Sequence, residues 1–185
     1  MFITINGDLG SGKTTVCNLL KNFGFEIFSA GSIQRQMANS MNISTLELNK
    51  NSKEDFSYDF YIDNSIVEYA KKNTGKKIVF DSRLAWHFVP DSLKVRLTIK
   101  PYIAAERVFL NRQTSEESYS SVEETMEKLL ERQKTEIERY QMIYNVAIDD
   151  TRNYDLIIDT TSLKPTDIVN IIICNYQQRF DLTTI

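Results

Sequence analysis

Apolar residues along this chain fall into two alternating patterns. Short, nearly unbroken runs occur at Met1-Phe2-Ile3-Thr4-Ile5-Asn6, Phe25-Glu26-Ile27-Phe28-Ser29-Ala30, Lys77-Ile78-Val79-Phe80-Asp81, Val95-Arg96-Leu97-Thr98-Ile99 and Tyr154-Asp155-Leu156-Ile157-Ile158-Asp159. Runs of this length suit strands of a parallel sheet covered on both faces. Between them, apolar residues recur three and four apart, the spacing of one helix face. Thr15 to Phe23 carries Val16, Leu19, Leu20 and Phe23 on one side, and Gly31-Ser32 opens a helix over Ile33 to Ala38. A short helix starts after Ser44, with Glu47 three residues on in a capping-box pattern. Glu54 to Lys72 is helical by pattern, with Phe56, Phe60, Ile66, Val67 and Ala70 on its apolar side, and Asn73-Thr74-Gly75 ends it. Ile103 to Arg112 reads as a helix, Ser115 to Ser121 as a polar loop, and Val122 to Tyr144 as a long helix lined by Val122, Met126, Leu129, Ile137, Tyr140 and Tyr144. The last helix runs from Thr166 to Arg179 behind Pro165.

Strands alternating with helices predict an α/β fold: a parallel sheet wrapped by helices, with ligands at the carboxyl ends of the strands. The P-loop described next, Ser29 to Gly31, Asp81 to Arg83 and Pro101 all follow strand ends and should share one rim, Pro101 being the least informative. No repeat, linker or low-complexity stretch divides the 185 residues, so a single domain over 1–185 is expected.

Gly7-Asp8-Leu9-Gly10-Ser11-Gly12-Lys13-Thr14 matches G-x-x-x-x-G-K-[ST] at every defined position, between the first strand and the first helix. Such a loop wraps a phosphate in backbone N–H groups, and the following helix N-terminus adds partial positive charge. Lys13 would reach the β- and γ-phosphates and Thr14 would place its hydroxyl on Mg²⁺. The motif predicts binding of a nucleoside triphosphate.

Composition narrows the partners. A net charge of −3 argues against a nucleic-acid-coating surface. No apolar run reaches a membrane span, and the phosphate loop begins so early that no presequence is expected; the expectation is a cytoplasmic monomer. Cys17 and Cys174 both fall in apolar-periodic segments and are expected to be buried free thiols.

The loop alone does not separate a kinase from a GTPase or a mechanical ATPase. The nearest approach to a guanine-reading N-K-x-D is Asn49-Lys50-Asn51-Ser52, which lacks the acid, and the chain is short for a mechanical ATPase. Arginines decide further, because phosphoryl transfer is mostly positioning plus charge neutralisation. Arg35 and Arg83 stand on the predicted rim, Arg107 and Arg112 before the polar loop, and Arg132 and Arg139 on one helix face after it with Glu136 between them. A second, phosphate-bearing substrate is what such a clamp would hold. His87, beside Trp86 and Phe88, reads as a packed side chain, the tyrosines of 122–144 as packing, and Asp149-Asp150 as a solvated turn.

Ser29-Ala30-Gly31 with Arg35, then Asp59 and Asp63, then Asp81-Ser82-Arg83-Leu84-Ala85-Trp86, Arg139-Tyr140 and Tyr154 to Thr160 carry a resemblance. Nearly end to end, the chain resembles the small archaeal-type cytidylate kinases within the nucleoside monophosphate kinases. The resemblance implies a P-loop NTPase three-layer sandwich with a helical NMP-binding part over about 29–73 and a short lid over about 111–121. It implies transfer of the γ-phosphoryl of ATP to the 5′-phosphate of CMP or dCMP, with Mg²⁺ on Thr14 and, through water, on Asp81. Gly7, Gly10, Ser11, Gly12, Lys13, Thr14, Thr15 and Arg107 would bind ATP; Ser29, Gly31, Arg35, Asp59, Asp63 and Arg83 would serve the acceptor. Lys13, Arg83, Arg132 and Arg139 would form the catalytic set, the last two meeting the transferring group.

Three departures stand out. Ser82 occupies a place where the family usually has glycine; Asp8-Leu9 replaces a more usual Pro-Pro, with side chains expected to point away; and Leu84 replaces the aspartate that follows the arginine in bacterial cytidylate kinases. The residues themselves leave open UMP or a non-nucleotide acceptor, and a nucleotide-gated regulatory protein.

Overall fold

The computed structural model describes residues 1–52, 55–111 and 119–182. Five strands form one sheet: β1 (Phe2–Gly7), β2 (Glu26–Ser29), β3 (Ile78–Asp81), β4 (Leu93–Thr98) and β5 (Leu156–Asp159). The spatial order is β2-β3-β1-β4-β5 and every pairing is parallel. The helices are α1 (Lys13–Leu20), α2 (Ala30–Ser40), α3 (Thr45–Asn51), α4 (Ser57–Lys72), α5 (Ala85–Phe88), α6 (Pro101–Asn111), α7 (Val122–Tyr144) and α8 (Pro165–Arg179).

The strands are buried because helices cover both faces. Along β3 the alternation sorts the core: Val79 joins Ile3, Ile5, Val16, Leu20 and Ile172 beneath α1 and α8, while Ile78 and Phe80 turn to Ile66, Ala85 and Val89 beneath α4 and α5. A third cluster, Leu84, Trp86, Tyr140 and Ile148, seats α7 against α5. The expected α/β three-layer fold is present. Register sets the rim: Ser29 and Ile5 both pair with Asp81, Gly7 with Leu97, and Thr98 with Asp159. The strands therefore end together, at the edge where a doubly wound sheet binds its ligand.

Local signals hold where they have a local cause. Ser44 Oγ accepts the Glu47 N–H at 3.0 Å, the expected cap, and at the start of the long helix Ser121 Oγ accepts the Glu124 N–H at 3.1 Å. The short helix α5, only four residues, carries no period of its own, and no expectation covered it. Two expectations are corrected. Cys17 is buried but Cys174 is exposed, because α8 turns Ile168, Val169, Ile172 and Tyr176 inward and leaves 174 outside that stripe. On α4 the inward side chains are Asp59, Asp63 and Ile66, whereas Phe60 is 46% exposed. Apolarity misjudged this face because its first half meets Arg139 and the Tyr144 hydroxyl of α7.

Candidate active site

The glycine loop leaves β1 with Gly10 at φ 80° and Gly12 at φ 83°, left-handed conformations that glycine adopts without strain. Gly10 is doubly required: a Cβ there would lie 2.8 Å from the Ala104 carbonyl oxygen of α6. Gly12 stands at the N-cap of α1 and no side chain caps that helix, so its first-turn amides are left for another acceptor. Beside them the hydroxyl of Ser11 is buried with no hydrogen-bond partner among the described residues. Uncapped amides and an unpartnered hydroxyl at a positive helix end suit a phosphate.

Lys13, the first residue of α1, reaches across to Asp81 at the end of β3, Nζ to Oδ1 3.4 Å. Burial, then the neighbouring Arg83, push its pKa down against the pull of Asp81. Asp81 Oδ2 also accepts from Ser29 Oγ at 3.5 Å. The open side of Gly31 faces the Ser29 hydroxyl and the Arg35 guanidinium: a Cβ there would lie 3.8 Å from the first and 3.5 Å from the second. Ser29, Gly31, Arg35 and Asp81 are thus gathered beside the loop. Arg35 and Thr14 are both solvent-exposed. Among the described residues no group of three or more His, Cys, Asp or Glu side chains could cage a metal. The oxygen donors at hand, one hydroxyl and one carboxylate, fit Mg²⁺ arriving with a polyphosphate, which usually takes few protein ligands and keeps its waters.

Across the rim lies α7. Glu136 sits between two arginines: Arg83 Nε at 2.8 Å from Oε2 and Arg132 Nε at 3.4 Å from Oε1. Arg83 Nη1 also donates to the Gly7 carbonyl, linking α7 to the phosphate loop. Burial alone would raise the Glu136 pKa, but Arg83, Arg132 and Arg139 hold it below the usual value. Burial is the strongest single influence against the Arg83 charge, and Glu136, Tyr140, Asp81 and Asp8 together outweigh it, so its pKa lies above the usual value. Arg139, three residues further, meets α4 instead: its Nη2 is 3.5 Å from Asp59 Oδ1. Asp63, one turn on, accepts from Tyr144 Oη at 2.6 Å. Burial raises the Asp63 pKa to about 6, assisted by Asp59 and opposed by Tyr144 and Arg139. Tyr144 is therefore more than packing. His87 is exposed, though its ring touches those of Trp86 and Phe88.

One inference from sequence is overturned. Asp8 does not point away: its carboxylate takes Arg96 Nη2 at 3.0 Å, the Ile99 amide at 3.3 Å and Gln133 Nε2 at 3.4 Å. Arg96, a strand residue 7% exposed, also donates to the Ile148 carbonyl at 3.0 Å and stacks over the Tyr154 ring at 5.6 Å. A lone arginine inside an apolar strand run was the available signal for this partner. Arg107 donates from α6 to the Thr160 and Thr161 carbonyls at 2.9 and 3.2 Å, past the end of β5. Ser82 turns its hydroxyl inward to accept the Leu84 amide at 3.2 Å. Asp150 caps a 3-10 turn at 151–153 and pairs with Arg152. Arg112 and most of the lid expected over about 111–121 fall at 112–118, outside the described residues. Among the described residues no helix is long and apolar enough to cross a membrane.

Comparison with known proteins follows the same line. Among solved structures, a shikimate kinase from Bacteroides thetaiotaomicron matches with TM-score 0.65 at 14% identity, covering 98% of both chains. A gluconokinase from Sinorhizobium meliloti 1021 matches with TM-score 0.56 at 12% identity, covering 98% of this chain and 97% of its own. At such identities the likeness speaks for the fold. The cytidylate kinase of Methanococcus vannielii is 35% identical over 179 residues, covering 93% of this chain and 97% of its own. That of Pyrococcus abyssi is 36% identical over 174 residues, covering 93% and 91%. A family model described as the cytidylate kinase-like family matches residues 2–162. With that match spanning the sheet and the whole rim, the chain belongs to the cytidylate kinase-like family.

Proposed function

We propose that this protein is an ATP-dependent nucleoside monophosphate kinase that converts CMP or dCMP to the diphosphate, with ADP as co-product. The observation that carries this reading is the near full-length match to archaeal cytidylate kinases. An oxygen of the acceptor 5′-phosphate attacks the γ-phosphorus of ATP in line, the bond to the β–γ bridging oxygen breaks, and ADP leaves. No residue becomes covalently attached, and no dedicated base is needed, because the attacking group is already an anion.

The residues divide this work. The loop from Gly7 to Thr15 cradles the donor phosphates, with Lys13 on the β and γ groups. Arg107 stands on the donor side and Arg35 and Arg83 on the acceptor side, with Ser29 and Gly31 leaving room. Arg132 faces the transferring group. Mg²⁺, held by Thr14 and through water by Asp81, would neutralise charge on the donor phosphates. Arg83 holds Glu136 through Nε and the Gly7 carbonyl through Nη1, which leaves further guanidinium donors for an acceptor phosphate oxygen. The 29–73 part and the lid would close over the pair of substrates and exclude water. The protein works as a cytoplasmic monomer, with no nucleic acid or membrane as partner.

The test is ADP release from ATP and Mg²⁺ with CMP, dCMP, UMP, AMP, GMP or no acceptor. Turnover confined to CMP and dCMP is expected. An equal rate in every well, including the one without acceptor, would overturn the reading.

A further inference from the structure

A cavity of about 130 Å³ lies between α6, α7 and the phosphate loop, and no role described so far uses it. Its apolar walls include Leu9 of the loop, Ile99 and Ala104 at and just before α6, and Met126 and Leu129 of α7. The gap has a local cause. At Ala104, α6 approaches the loop so closely that a Cβ on Gly10 would lie 2.8 Å from the Ala104 carbonyl oxygen. A short side chain suits that approach, and it leaves the space beyond unfilled. Leu130 also lines the cavity and is 44% exposed, so the cavity reaches the surface there. The polar residues of the wall are Asp8 and Gln133, joined at 3.4 Å. Neither Lys13, Thr14 nor any arginine lines it, which separates it from the phosphate cradle. It meets the loop at Asp8 and Leu9, the two positions where this chain departs from the more usual Pro-Pro.

Size and charge define the occupant. An engineered protein cavity of about 150 Å³ with apolar walls stays dry and takes benzene, so this one admits a single ring. The Asp8 charge is already matched by Arg96 at 3.0 Å, so neither a cation nor an anion gains at the polar end. Asp8 Oδ1 accepts from Arg96 and Gln133, whereas Oδ2 accepts from the Ile99 amide alone among the described residues. A carboxylate oxygen takes two donors, which leaves Oδ2 room for one more. We propose that this cavity is a binding site for a small, neutral aromatic ring bearing one O–H or N–H donor. The ring packs against Leu9, Met126 and Leu129, and the donor meets Asp8 Oδ2. Such an occupant restores the dispersion contacts that the lining side chains lack across the gap. It also joins the phosphate loop to α6 and α7, the helices before and after residues 112–118. The site is additional to those for donor and acceptor, and it stands independently of the kinase reading.

The experiment titrates the nucleotide-free protein, labelled with carbon-13 at its methyl groups, with phenol and with fluorobenzene, which has nearly the same shape and no donor. Phenol is expected to shift the Leu9, Met126 and Leu129 methyl signals saturably, with a Kd at or below about 1 mM. Fluorobenzene is expected to bind about fivefold more weakly, the worth of one hydrogen bond. Met126→Trp, whose larger side chain fills the cavity, is expected to abolish the phenol shifts at Leu9 and Leu129. No saturation by about 10 mM phenol overturns the proposal. So do shifts centred instead on the Thr160 and Thr161 methyl groups, beside Arg107, because the ring would then sit elsewhere. Equal affinities for the two probes overturn it as well, because the contact to Asp8 would be absent. These three results need no variant to fold. Unchanged phenol binding by folded Met126→Trp is the fourth that overturns it.

Discussion

Asp8→Ala tests how the phosphate loop is held. Wild-type Asp8 pairs with Arg96 at 3.0 Å, with side chains 18% and 9% exposed, and accepts from the Ile99 amide and Gln133. Removing one partner of a buried pair costs about 3–5 kcal/mol, because the other charge remains without water. Arg96 keeps the Ile148 carbonyl and the Tyr154 ring, and solvent reaches the Asp8 side, so about 2–3 kcal/mol is expected. For a chain of this length that is a fall in Tm of about 5–10 °C. The loop also loses its tether to the end of β4 and to α7, so KM for ATP should rise several-fold. Asp8→Asn keeps an acceptor for Arg96 and should lose less than half as much. Adding Arg96→Met to Asp8→Ala should restore stability, since no charge is then stranded. Thermal unfolding by circular dichroism with and without ATP, together with KM for ATP, reads all four proteins. A Tm for Asp8→Ala within 1 °C of wild type would refute the reasoning.

Three further outcomes are expected. Arg83→Ala takes from the Glu136 carboxylate its shortest ion pair, leaving the longer one from Arg132 and the more distant Arg139, so stability should fall by about 2–3 kcal/mol and KM for CMP should rise more than KM for ATP; denaturant unfolding and two-substrate kinetics check both. Gly10→Ala meets a left-handed φ and the Ala104 carbonyl 2.8 Å away, so ATP binding measured by calorimetry should be lost, and unchanged affinity would contradict the loop geometry. Asp63 titrates near pH 6 in the folded protein against about 3.8 when unfolded, a raised carboxyl. The folded state therefore binds its proton first, and Asp63 lowers stability as pH rises from about 4 to 6, reaching about 3 kcal/mol above pH 6. Asp63→Asn, which still accepts from Tyr144, should be more stable than wild type at pH 7.5 and equal to it at pH 4; a variant destabilised at pH 7.5 would contradict the assignment.

What was legible in the residues is what short-range physics encodes. The five apolar runs are strands because a doubly covered sheet needs them, and the glycine loop announces itself because only certain residues at certain spacings can wrap a phosphate. Ser44 marks a helix start because capping is settled within three residues. The candidate rim was legible too, since parallel strands bring residues such as Ser29, Asp81 and Gly7 to one edge. Asp8, Glu136 and Asp59 were not, because each draws its meaning from a partner far away in the chain: Arg96, Arg83 and Arg139. Periodicity even assigned Phe60 to the interior in place of Asp59 and Asp63. By itself the sequence determined the strands, the phosphate loop and the family. Only the tertiary structure decided which charges neutralise which, because ion pairing depends on distances of a few ångströms between elements that no local pattern records.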